Sequence, residues 1–458
     1  VRVLAIGDSD SYVKWGAAVL ERMPAHWYKE MVVIGTPVVP SAAQLESALD
    51  ATSFDAADVP IVDLVDVAAR VIADKPDIVL MSVRGLVVRV LVRAIVAATA
   101  DLPGRSRPVF VSGLPGISIP ATSRALYFRS QVDLFLLHSK REIREFQALA
   151  KKMGVTQSFG LASLPFLADA VVGAGSGAAA GAGARPGPGT GLDIAADPAR
   201  TDIIFAAQAK VPRELKERQL LLSWLIAAAR ARPTQRVVIK LRALPGEAQT
   251  HAEKYPFDEL LREAATSGAL PDNLVVSGGS MVEHLETAAG LVTVSSTAAI
   301  EAAALGIPVL ALDDFGVSSE LINLVFEGSG LLGSSSELTS GTLRLPRPSW
   351  LDDNYFHAVA DETWIDAIES LVEASSAHPL PLRPQFRARI GGAPRRAWDR
   401  KLALGRYDHT VSGALAYGVG YPLRAVVVWA RTPIRAARKR KRLAAVAQAS
   451  GVSTPSPS

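Results

Sequence analysis

Residues 290–317 read GLVTVSSTAAIEAAALGIPVLALDDFGV, and the fold turns on how they are read. Leu291 to Val294 is a short apolar run of strand type. Ser295-Ser296-Thr297 opens an alanine-rich helix, and Gly306-Ile307-Pro308 stops it before a second apolar run at Val309 to Leu312. This is a parallel strand-helix-strand unit with a polar helix mouth. Ser296 or Thr297 is placed to cap the helix, and the unpaired amides of a first turn, at the positive end of the helix dipole, suit a phosphate or carboxylate. The same residues would also serve as a cap and nothing more, so their context has to decide. Glu301 lies a turn into the helix, on the face that can turn toward a ligand at the same mouth.

The alternation continues on both sides, as in an α/β chain. Residues 1 to 6, VRVLAI, form a buried strand, and Gly7 to Ser11 turn the chain into a helix near Val13 to Arg22. Asp8, Ser9, Asp10 and Ser11 then sit at a strand's carboxyl end, where open parallel sheets bind ligands; the other reading is a helix cap with solvated acids. Strands follow at Met31 to Gly35, Pro60 to Val62, Asp77 to Met81, Pro108 to Ser112 and Val132 to Leu137, with helices between them. Arg84 leaves the fourth of these strands, either to face an anion or to do nothing there. The loop Gly113 to Pro120, GLPGISIP, either brings backbone close to a ligand at Gly113 and Gly116 or forms a rigid packed turn. His138 closes the sixth strand, the place of a substrate-contacting histidine or of a turn residue.

Residues 166–199 are rich in glycine, alanine and proline and read as a linker between residues 1–165 and a second α/β domain at 200–378. GAGSGA within it follows no strand, which excludes a dinucleotide fingerprint. Strands are expected at Asp202 to Ala206, Arg236 to Leu241 and Leu274 to Ser277, and another helix after Ser318. Lys240 and Arg242 leave a strand's carboxyl end as a basic pair suited to a phosphorylated ligand or to a solvated loop.

Composition narrows the function classes. The 458 residues are 49% hydrophobic, which is ample for two cores, and contain no cysteine, which excludes disulfides, thiolate metal sites and cysteine nucleophiles. The net charge of +4 is modest, and its basic excess collects in a tail at 379–458. There Arg431 to Arg442, beside Trp429 and Ile434, suits an anionic membrane surface, whereas no interleaved aromatics or known module point to nucleic acid. No apolar run reaches the ~20 residues that span a bilayer, and the first strand begins without a secretion signal. A cytoplasmic protein is expected, peripheral at the inner face of the membrane.

Two Rossmann-like doubly wound domains facing a cleft, with a helix mouth aimed at it, resemble the GT-B fold of nucleotide-sugar-dependent glycosyltransferases. VTVSSTAAIEAAALGIPVLAL is similar to the serine-serine or serine-threonine motif of bacterial sialyltransferases, polysialyltransferases and related capsule or teichoic-acid transferases. VVIKLRALPGEAQTHAEKYPF stands where those families carry a strand and a His-Pro motif, which this chain lacks. The chain is also similar to an actinobacterial glycosyltransferase family of unassigned specificity, through GLPGISIPAT and FLLHSKREI among other stretches.

The resemblance implies that Ser295, Ser296 and Thr297 hold donor phosphate, with Lys240 and Arg242 serving the leaving group. Glu301 would contact ribose or the donor sugar, and Ser9, Ser11, Gly113 and Gly116 would lie on the acceptor side. Direct displacement at an anomeric carbon needs a base for the acceptor hydroxyl; Asp8 or Asp10 are the candidates, with His138 behind them. The nucleotide sugar is a co-substrate, no cofactor or metal is expected, and the acceptor is a glycan or lipid-linked group. The alternatives are an alditol-phosphate transferase, a nucleotide-sugar epimerase and a non-catalytic nucleotide-sugar-binding protein.

Overall fold

The computed structural model describes residues 1–50, 52–100, 107–165, 167, 200–209, 211–241, 253–384 and 392–422. One compact unit, Val1–Ile34 with Val38–Phe386, holds two parallel sheets. The first has seven strands in the order β3-β2-β1-β4-β5-β6-β7: β1 (Arg2–Gly7), β2 (Tyr28–Ile34), β3 (Ile61–Val62), β4 (Ile78–Ser82), β5 (Val109–Gly113), β6 (Leu134–Leu137) and β7 (Ser158–Leu161). Helices α1 (Asp10–Glu21), α2 (Ala42–Leu49), α3 (Leu64–Asp74), α4 (Gly85–Thr99), α5 (Ser123–Arg129) and α6 (Lys140–Met153) connect them. Residues of β4, β5 and β6 are buried throughout, so these strands read as unbroken apolar runs, as strands covered on both faces do.

Local chemistry sets the helix ends. Ser41 and Gln44 form a reciprocal capping box at α2. Ser139 accepts the Glu142 amide at 3.0 Å to start α6, which Gly154 ends in the left-handed region at φ 65°.

The second sheet has six strands in the order β10-β9-β8-β11-β12-β13: β8 (Asp202–Ala206), β9 (Val237–Lys240), β10 (Leu274–Ser277), β11 (Ala288–Thr293), β12 (Val309–Leu312) and β13 (Leu332–Gly333). Its helices are α7 (Leu215–Ala231), α8 (Phe257–Ser267), α9 (Met281–Glu286), α10 (Ala298–Ala304), α11 (Ser335–Ser340) and α12 (Pro348–Asp353). Both sheets start at a central strand, run outward one way and then return to run the other. The crevices where ligands bind such sheets lie between the carboxyl ends of β1 and β4 and of β8 and β11. The two Rossmann-like domains expected from the sequence are therefore present.

Several boundaries differ from expectation. The strands β7 and β13 and helices α5, α8, α11 and α12 are additions to the sequence reading. No α-helix starts at Ser318: buried Asn323 accepts the Ser318 amide at 2.9 Å and donates to the Gly316 carbonyl at 3.0 Å, tying the chain into a loop before a 3-10 turn at Leu324–Phe326. Residues 200–378 do not all stay with the second sheet. Helix α13 (Trp364–Ala377) packs over β5, β6 and β7, and Trp364 and Ile368 join the first domain's core. Ile119, from the loop after β5, makes the opposite exchange and packs in the second domain's core.

A second compact unit is formed by Gly35–Pro37 with Arg387–Ser458. In it, Trp398 of α14 (Gly392–Leu404) stacks on Tyr417 of a helix over 411–422, with ring centres 5.8 Å apart. The basic segment Arg431 to Arg442 and most of the 166–199 linker fall outside the described residues. Among the described residues no helix is long and apolar enough to cross a membrane.

Candidate functional site

The second domain's switch point is built by a bond between its two arms. Past the end of β8, Gln208 Oε1 accepts both the amide and the hydroxyl of Ser295, at 3.0 and 2.9 Å, just past β11. Gln208 is itself held from behind. Arg218 of α7, 1% exposed, donates to the Gln208 carbonyl, to the Pro212 carbonyl at 2.9 Å and to the Tyr255 carbonyl at 2.6 Å, and pairs with Glu253. A buried guanidinium with all these acceptors fixes the loop in one position.

The mouth of α10 departs from the expected row of free amides. Ser295 is buried and its hydroxyl is spent on Gln208, so it faces inward. Ser296 donates its amide to Thr293 Oγ1 at 3.0 Å and accepts the Ala298 amide on its own hydroxyl at 3.2 Å. The amides of Ala299, Ile300 and Glu301 return to the Ser296 and Thr297 carbonyls. With seven residues and the amides of Ala298 to Glu301 closed within the turn, α10 presents chiefly hydroxyls to a ligand. Thr297, at the cap position, makes no side-chain cap bond. A Cβ on Gly116 would lie 3.9 Å from Thr297 Cγ2, so this hydroxyl-bearing turn meets the first domain's Gly113–Pro120 loop directly.

Glu301 feels the charge of a lysine from each domain. Burial raises its pKa above the ordinary value, while Lys14 of α1 and Lys240 of β9 pull it down. Its carboxylate accepts no hydrogen bond from the described residues. Lys240 is 7% exposed and donates to the Leu241 carbonyl at 2.8 Å. Arg242 lies outside the described residues.

In the first domain the switch point is again bridged, here by an ion pair. Asp8, fully buried past β1, accepts Arg84 Nε at 2.7 Å and the Arg84 amide at 3.2 Å, past β4. Burial raises the Asp8 pKa, and Arg84 offsets part of that rise. Arg129, 1% exposed, braces the same floor through the Gly113 carbonyl at 3.1 Å and the Tyr12 hydroxyl at 3.1 Å. Ser9 is buried as well. Asp10, the first residue of α1, is half-buried, and Ser11 is exposed.

Two expected site residues prove to be packing residues. Gly113 is buried at the end of β5, where a Cβ would overlap the Trp15 indole. His138 is fully buried: it accepts Trp15 Nε1–H on Nε2 at 2.8 Å, and its Nδ1 lies 3.0 Å from the Ala162 carbonyl, the contact of an Nδ1–H tautomer. Burial lowers the His138 pKa, against the opposing pull of Glu142 and of the Ala162 and Leu114 carbonyls. A neutral imidazole closed on both nitrogens has no open nitrogen for an acceptor hydroxyl.

Glu142 is the buried joint beneath this loop. Its carboxylate accepts the His138 amide, the Ser118 amide and the Tyr355 hydroxyl, each at 2.8 Å, and Tyr355 belongs to the second domain. Gln208, Lys14 and Glu142 were not singled out in the sequence. Each is an ordinary polar residue whose role depends on a partner far along the chain, and no local pattern marks it. A surface hollow of about 550 Å³ between α6 and α12, lined by Arg141, Arg144, Trp350 and Asp353 among others, shares no lining residue with the α10 mouth.

Known structures with similar overall architecture include "putative UDP-N-acetylglucosamine 2-epimerase from Listeria monocytogenes", 12% identical over 90% of this chain and 98% of that one, with a TM-score of 0.48. A UDP-GlcNAc 2-epimerase from Neisseria meningitidis bound to UDP-GlcNAc is 13% identical over 82% of this chain and 100% of that one, at a TM-score of 0.46. Spinosyn rhamnosyltransferase SpnG is 15% identical over 83% of this chain and 98% of that one, at 0.36. No curated protein matches the sequence. Residues 3–371 match one family throughout, and the chain belongs to that family, described as "Putative glycosyltransferase (DUF6716)".

Proposed function

We propose that the protein transfers a sugar from a nucleotide-activated donor to a glycan or lipid-linked acceptor. The observation that carries this reading is Glu301, a carboxylate without a hydrogen-bond donor among the described residues, within electrostatic reach of Lys14 and Lys240 and one turn from the hydroxyls of Ser296 and Thr297. An acceptor-only carboxylate matches the paired hydroxyls of a ribose or sugar, and the two lysines whose charge reaches it suit the phosphates of the same donor. Family membership supplies the reaction class.

In this reading Ser296, Thr297 and Lys240 hold the donor phosphates, with Arg242 as a further candidate, and Glu301 orients the sugar or ribose. Ser295 positions the turn through Gln208 and does not touch the donor. On the acceptor side Asp10, reachable at the start of α1, takes the acceptor proton, while Asp8 orients Arg84. Ser11 and Gly116 border the acceptor.

The test is a thermal-shift screen of nucleotide sugars on the full chain, followed by nucleotide-release assays with candidate acceptors. Binding of one donor and release of its nucleotide only with acceptor is the expected result. Donor binding without nucleotide release in any acceptor mixture would overturn transfer, and unchanged donor affinity in a Ser296→Ala/Thr297→Ala double variant would overturn the placement of the phosphates.

A further inference from the structure

The apolar helix α4 carries a charge that its surroundings leave unanswered. Arg89, in its second turn, is 4% exposed, and its guanidinium lies 4.3 Å from the centre of the Tyr127 ring. It makes no hydrogen bond or ion pair with any described residue, and its Nε is sealed from solvent without a partner. Burial strips an arginine of hydration, and an aromatic face restores only part of what is lost, so a buried cation ordinarily has an anion beside it.

The neighbouring groups have the same character. Arg84, at the cap of α4, gives its Nε to Asp8, while its Nη2 is buried without a partner. Arg124, in the first turn of α5, is exposed and sits 5.4 Å from the Phe128 ring centre, with no carboxylate among the described residues. Phe128 packs against Gly85, where a Cβ would overlap its ring, so the α5 aromatics adjoin the first turn of α4. That turn has no side-chain cap and no acidic residue, in a helix of 15 residues. Helical side chains lean toward the N-terminus, and Arg89 follows Arg84 by five residues, about 7.5 Å along the axis. Arg89 and Arg124 therefore lie against adjacent aromatics of α5, next to the helix start that Arg84 caps, and the nearby carboxylate Asp8 is taken up by Arg84.

We propose that this edge of the first domain, between α4 and α5 at the carboxyl ends of the strands, binds a phosphate group, and that the transferase's acceptor carries that phosphate. The second half rests on the transfer reading above; the anion site does not depend on it. A lipid phosphate headgroup and a soluble phosphomonoester present the same chemistry.

The experiment uses the full chain with a nucleoside diphosphate at saturation to block the donor mouth. Glycerol 3-phosphate is titrated by calorimetry, and co-sedimentation is measured with vesicles of phosphatidic acid in phosphatidylcholine against phosphatidylcholine alone. The wild type is expected to bind at least one probe, and the arm that binds names the source. Arg89→Gln should weaken that binding by at least about tenfold, and Arg124→Gln severalfold, with nucleoside diphosphate affinity unchanged in both. Arg89→Lys should retain part of the affinity, because it keeps the charge and loses the fork. Arg124 is exposed, so its variant decides the question if Arg89→Gln does not fold.

Absence of binding to either probe, or affinities unmoved by these substitutions, would overturn the site. Arg89-dependent phosphate binding in a chain that binds no nucleotide would leave the site standing and overturn the donor reading instead.

Discussion

Glu301 combines a stability penalty with a binding role. Its pKa is raised chiefly by burial, so the folded protein holds the Glu301 proton more tightly than the unfolded chain does. Stability from this source is fully present below the ordinary value of 4.5 and is lost as pH rises through the raised folded value. Glu301→Gln removes that loss: its Tm should draw ahead of the wild type as pH climbs from 4.5 and hold a constant lead at neutral pH, in paired melts across a pH series. The same substitution removes a charged acceptor from donor hydroxyls and should weaken nucleotide-sugar binding about 10- to 100-fold, as titration calorimetry would show.

His138 predicts the reverse pattern. His138→Ala leaves the Trp15 indole N–H and the Ala162 carbonyl unpaired around a cavity, and should lower unfolding stability by about 2–4 kcal/mol. Urea titration measures that loss, and under folding conditions the pH–rate profile should keep its wild-type shape. A lost limb in that profile would return His138 to the chemistry.

At the scale of elements, the loop after β5 joins the two domains, and its packing shows what could be read from sequence. Strand-to-helix alternation, the Ser-Ser-Thr turn after β11 and the basic residue ending β9 are local patterns, and the period of the apolar runs was enough to place them. The reason for Gly113 was not local: the glycine is matched to Trp15, about a hundred residues earlier, and only the packed sheet brings them together. Asp8 and Arg84 likewise have two strands, β2 and β3, between them in sequence yet follow neighbouring strands of the sheet, because the strand order reverses there. The α10 mouth differs from a row of free amides for a related reason, since turn bonding within residues 293–301 closes those of Ser296 and of Ala298 to Glu301. Gly113→Ala should therefore act through Trp15, destabilising by about 1–3 kcal/mol in denaturant melts, whereas Gly116→Ala, with only an ordinary contact to Thr297, should leave stability near wild type.

Across the whole molecule, sequence order and packing part company at α13. The chain completes the second sheet with β13 and then returns, so that Trp364, 2% exposed, and Ile368 fill the first domain's core. The return is anchored by Glu362, whose carboxylate accepts Arg22, Ser163 and the Trp364 indole N–H. Burial alone would raise its pKa, but these bonds outweigh it and hold the group below the usual range. The stability this group contributes is present above its ordinary value and is lost as pH falls through the depressed one. Trp364→Ala removes both the core side chain and one of those donors, and by the usual cost of a buried aromatic should destabilise by about 3–5 kcal/mol. The damage should appear far from the substitution in sequence. Hydrogen exchange should accelerate in β5, β6 and β7, which α13 covers, while β8, β9 and β11 keep their protection. Equal acceleration in both sheets would mean that the two domains unfold as one cooperative body, and acceleration confined to the second sheet would contradict the placement of α13.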